Sequence, residues 1–111
     1  MDRERLRVML ARMETALAET RANLARVEQG LSDRAEAETI RQRPKKRHYH
    51  RRMTRWTGAD ETAYRRVLDE MLNVTGPEIE RLRRRIARQD AAIETLRRKY
   101  GVNAERPRLF F

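Results

Sequence analysis

Two stretches of this chain place apolar residues at alternating steps of four and three, and that spacing restricts the folds open to it more than any other feature. The first runs Leu6, Leu10, Met13, Leu17, Leu24, Val27 and Leu31, with Thr20 in its one polar slot. The second runs Ile79, Leu82, Ile86, Gln89, Ile93, Leu96 and Tyr100. Such a pattern gathers its apolar side chains on one face only when the backbone is helical, and it is the a/d signature of a coiled-coil seam. Composition points the same way. Charged residues make up 40% of the 111 residues and hydrophobic ones 39%, with only two Phe, three Tyr and one Trp to anchor an interior. A layered core needs more apolar surface than that, whereas a long helix stays ordered with one narrow buried stripe.

The expected fold is therefore all-α: two long heptad-patterned helices joined by a basic segment and a short middle helix. The seams pair either as an antiparallel coiled-coil hairpin within one chain or as an oligomeric coiled coil, and their spacing leaves both open. Residues 1–43 form the first helix. Gly30 inside it reads either as a glycine closing a helix at Gln29 or as a mid-helix residue costing about 1 kcal/mol. Leu31 stays in phase, which favours a continuous or kinked helix. Pro44 disfavours the α conformation at Arg43 and ends the element. Residues 44–58 follow as a basic, aromatic segment. Thr57-Gly58-Ala59-Asp60 has the form of an N-cap, and Ala63, Tyr64, Val67, Leu68, Met71, Leu72 and Val74 give residues 59–74 a broad apolar face. Thr75-Gly76-Pro77-Glu78 reads as a capping box that opens a separate helix over 75–101, with Gly101 as its stop. Residues 102–111 form an extended tail.

Charge locates the functional candidate. Residues 1–38 carry a net −1 and residues 59–111 a net +3, while the stretch between Glu38 and Asp60 holds eight Lys or Arg residues and no carboxylate. Those cations are Arg41, Arg43, Lys45, Lys46, Arg47, Arg51, Arg52 and Arg55, interleaved with His48, Tyr49, His50 and Trp56. Clustered cations neutralise phosphates and release counterions, and aromatic rings stack on exposed bases. If residues 45–56 are helical, Tyr49, Met53 and Trp56 share one face. DNA or RNA is the expected partner. Arg81, Arg85 and Arg88 share a face outside the second seam and extend the phosphate-binding candidates. The tail ends in Leu109, Phe110 and Phe111, an apolar anchor that folds back on the helices or enters a pocket of a larger protein.

The remaining chemistry is sparse. There is no Cys, and His48 with His50 are the only histidines, two ligands short of a structural zinc site. No metal, cofactor or catalytic constellation is expected, so the chain reads as a non-enzyme. No apolar run approaches the length of a membrane span. The expected setting is cytoplasmic, as a homo-oligomer or part of a larger protein complex. A basic segment plus an aromatic anchor also suits an assembly or scaffolding protein, including a viral structural protein inside a virion.

Overall fold

The computed structural model describes residues 2–44 and 55–101. Over them the chain is all-α: two long helices packed together, α1 (Arg3–Arg41) and α2 (Gly58–Tyr100). Among the described residues there is no strand.

Local chemistry explains each helix end. The Asp2 carboxylate accepts the Arg5 N–H at 3.0 Å and caps α1. At the far end the Gln42 N–H reaches the Glu38 carbonyl and the Arg43 N–H the Ile40 carbonyl. Pro44, which has no N–H to donate, prevents a further turn. Thr57 caps α2: its hydroxyl accepts the Asp60 N–H at 3.1 Å, while the Asp60 carboxylate accepts the Thr57 N–H at 2.9 Å. This is a reciprocal capping box with Asp as the acidic member. Gly101, at φ 68°, takes the left-handed conformation that closes α2.

The chain divides into two units. Unit 1 comprises Met1–Leu24 and Arg81–Phe111. In it Leu6, Leu10 and Leu17 of α1 are buried with Ile93 of α2, and Met13, Ile86 and Leu96 pack against that cluster. Each such side chain contributes about 1.5–3 kcal/mol when fully removed from water. Arg97 and Glu14 join the helices by an ion pair at 2.7 Å, with the Arg97 side chain only 11% exposed.

Unit 2 is Ala25–Glu80. Its helices are antiparallel: Arg43 at the end of α1 meets Asp60 at the start of α2, and the Ser32 and Tyr64 hydroxyls hydrogen-bond at 2.9 Å one to three turns away. The buried residues are Leu31, Ala35, Thr39, Asp60, Val67 and Ile79, an interior of small and polar side chains as much as large ones. Thr39 is satisfied locally, its hydroxyl donating to the Ala35 carbonyl at 2.7 Å.

Two sequence expectations change, and one open alternative is decided. The separate middle helix over 59–74 does not exist, because α2 runs unbroken through Thr75, Gly76 and Pro77. Pro77 deprives the Asn73 carbonyl of its partner, but both residues are exposed, so water replaces that bond. Met71, Thr75 and Ile79 lie buried or half-buried on either side of it, and a break would take that face apart. Thr75 is thus an interior helical residue rather than a cap. At Gly30 the continuous reading holds, since α1 passes through it without interruption. The first helix also stops at Arg41, two residues short of its expected end.

Candidate nucleic-acid interface

The basic segment leaves and re-enters the described structure through a polar clasp in unit 2. The Arg43 guanidinium donates to both oxygens of Asp60, each at 3.0 Å, in the two-pronged geometry that a planar fork and a carboxylate share. Both side chains are withdrawn from solvent, Arg43 to 16% exposure and Asp60 to 9%. Asp60 also accepts the Thr57 N–H and hydroxyl, so one carboxylate closes the α2 cap and ties it to the end of α1. The Arg43 bond, and then the Thr57 N–H, hold the Asp60 carboxyl below its ordinary pKa.

Flanking contacts extend the clasp. Arg41 pairs with Glu38, and the Gln42 amide donates to Glu38 at 2.9 Å while accepting from Arg66 at 2.9 Å. The Arg41 hydrogen bond, followed by that of Gln42, lowers the Glu38 pKa. Just before α2 the Trp56 indole N–H donates to Glu61 at 3.2 Å, and its ring meets Tyr64 edge-on at 6.0 Å between centroids. Glu61 also accepts from Arg65 at 3.0 Å, and the Arg65 bond, then that of Trp56, lowers its pKa. Trp56 still keeps 38% of its surface exposed.

The structure places the expected site residues unevenly. Lys45, Lys46, Arg47, His48, Tyr49, His50, Arg51 and Arg52 lie outside the described residues, as does the Tyr49–Met53 portion of the proposed aromatic stripe. Arg41 and Arg43, at the edge of the segment, are engaged with carboxylates, and Arg55 is exposed. Arg81, Arg85 and Arg88 are exposed on α2 in unit 1, whereas the clasp belongs to unit 2. Arg84 is exposed on the same stretch. Leu109, Phe110 and Phe111 also lie outside the described residues.

Sequence reasoning missed the clasp. It treated Arg43 as one more phosphate ligand, because nothing local distinguishes it from its neighbours. The available signal was Asp60 itself, the first carboxylate after the basic run and already marked as a capping residue. Among the described residues, no three or more His, Cys, Asp or Glu side chains gather to hold a metal ion, and no helix is long and apolar enough to cross a membrane. No known protein family, curated protein or solved structure matches the chain.

Proposed function

We propose that this protein is a non-enzymatic coiled-coil hairpin that presents residues 45–56 to the phosphates of a nucleic acid. The observation that carries this reading is the concentration of charge: eight cations and no carboxylate between Glu38 and Asp60. The clasp sharpens it. Arg41 and Arg43 are paired at the base, and the proposal assigns the phosphates to the other six cations of the segment: Lys45, Lys46, Arg47, Arg51, Arg52 and Arg55. Six neutralised phosphates give a slope of log K against log salt of about −5 on duplex and about −4 on single strands. The exposed part of Trp56 favours the single-stranded class, because a ring stacks only on an unstacked base. Arg81, Arg85 and Arg88 form a secondary strip.

The test is a gel-shift titration with single-stranded RNA, single-stranded DNA and duplex DNA from about 50 to 200 mM salt. Binding whose slope falls when Lys45, Lys46 and Arg47 are replaced by Ala supports the reading. No shift with any of the three at the lowest salt sinks it. A second reading, an assembly protein held by a larger partner, rests on the apolar surface at Val8 and Met9, 43% and 38% exposed, together with the apolar residues Leu109, Phe110 and Phe111. It predicts that removing residues 109–111 abolishes a protein contact and leaves nucleic-acid binding intact.

A further inference from the structure

The outward face of α1 in unit 1 carries a second, uncharged stripe. Val8, Ala11, Thr15, Ala18 and Ala22 follow one another at steps of three, four, three and four, and all five are exposed. On a helical projection they lie opposite Leu6, Leu10, Leu17 and Thr20, the residues buried on α1 in this unit. The N-terminal part of this face, with Glu4, Arg5, Met9 and Arg12, frames a shallow apolar concavity around Val8. In a chain of which 40% is charged, five successive stripe positions free of charge leave an uncharged helix face without a partner among the described residues.

The charges beside the stripe specify what covers it. Arg12 and Glu19 line one edge, and Glu14 and Arg21 the other. When two copies of α1 meet antiparallel, Ala11 faces Ala22 and Thr15 faces Ala18. That register sets Arg12 beside Glu19 and Glu14 beside Arg21 of the second copy, and each pair occurs twice by symmetry. Parallel in-register copies would instead set Glu14 against Glu19 and Arg7 against Arg12, like charges on both edges. Small stripe residues let the helix backbones approach closely, so the flanking charges come within reach of one another. Glu14 also pairs with Arg97 of its own chain, which leaves its second oxygen available to an incoming guanidinium. We infer that this face of α1 is a self-association surface on which a second copy of the chain docks antiparallel, centred between Thr15 and Ala18. This inference stands apart from nucleic-acid binding, since none of its residues belongs to the basic segment.

Sedimentation equilibrium of the full chain without nucleic acid tests it. A monomer–dimer equilibrium is expected, weakened at least about tenfold by Ala18→Arg, with helicity unchanged because the site is exposed. Arg12→Glu should weaken the dimer, and adding Glu19→Arg in the same chain should restore it, which a merely unfolding change would not do. The chain has no Cys, so single cysteines report orientation cleanly. Ala11→Cys should not oxidise to a disulfide with itself but should do so when mixed with Ala22→Cys. A monomer at every concentration overturns the inference, as does a dimer indifferent to Ala18→Arg and Arg12→Glu. Self-linking of Ala11→Cys overturns the antiparallel register.

Discussion

Units 1 and 2 are built from the same two helices and bury different chemistry. In unit 1 a line of buried and half-buried positions on α1 alternates steps of four and three from Leu6 through Leu10, Met13, Leu17, Thr20 and Leu24, with half-buried Ala16 beside it. In unit 2 one line of them recurs at every fourth residue, Val27, Leu31, Ala35 and Thr39 on α1 and Val67, Met71, Thr75 and Ile79 on α2, with others such as Ser32, Glu38, Tyr64 and Leu68 beside it. A step of four overshoots a helical turn by about 40°, so a run of such steps carries the contact line around the helix, while alternating steps keep it nearly straight. Both helices of unit 2 make the same excursion over a similar length. Small or polar residues occupy its deepest points, with Ala35 at 0% and Thr39 at 1% exposure. Unit 1 is held by an apolar cluster, unit 2 by a thinner apolar face plus directed polar contacts. Apolar burial is non-directional and insensitive to pH, whereas a bidentate ion pair and its cap depend on geometry and on protonation.

Truncation at a buried leucine should separate the two most strongly. Leu10→Ala in unit 1 is expected to cost about 3 kcal/mol in urea denaturation, from lost transfer energy and the cavity left behind. A loss below about 1 kcal/mol would mean that unit 1 does not depend on that cluster. Next comes Arg43→Ala, which leaves the Asp60 carboxylate without its main partner. Hydrogen exchange should rise over the first turns of α2, with little change around Ile93. Equal acceleration at both places would erase the contrast between the units.

Acid should act on the same contacts more gently. Asp60, Glu38 and Glu61 all have depressed pKa values, for the reasons set out above. A group whose folded pKa is lowered contributes stability that is fully present above its unfolded value, about 4, and lost as pH falls through the lower folded value. Unit 2 should therefore be unaffected between neutral pH and about 5, then loosen below about 4. Trp56, the chain's one tryptophan, reports this by its fluorescence. A transition near pH 6 would place the sensitive group elsewhere. The smallest effect is stabilising. Gly76 lies within α2 and a Cβ added there meets no atom within 4 Å, so Gly76→Ala should raise stability by up to about 1 kcal/mol. A decrease would show that the helix needs glycine beside Pro77.

Much of the architecture was legible because helical periodicity is a local property. The all-α character, the Thr57–Asp60 cap and the glycine at 101 each depend on a few neighbouring residues, and each appears in the structure. The break expected at Thr75-Gly76-Pro77 was the misreading. Those residues form a plausible helix start in isolation, yet burial of Met71, Thr75 and Ile79 keeps the helix going, and one lost bond at exposed Asn73 is cheaper than exposing that face. The stretch from Leu31 to Thr39 was missed for the opposite reason. Ala35 and Thr39 are too small or polar to announce a seam, although they are the most deeply buried of the described residues.

By itself the sequence determined that this chain is helical, where its charge is concentrated and which short signals end its helices, since all of these are set within a few turns. Only the tertiary structure decided that Arg43 is engaged within the chain. Asp60, seventeen residues away, is brought to 3.0 Å from it. A partner at that separation has no local signature, because it depends on how two helices pack.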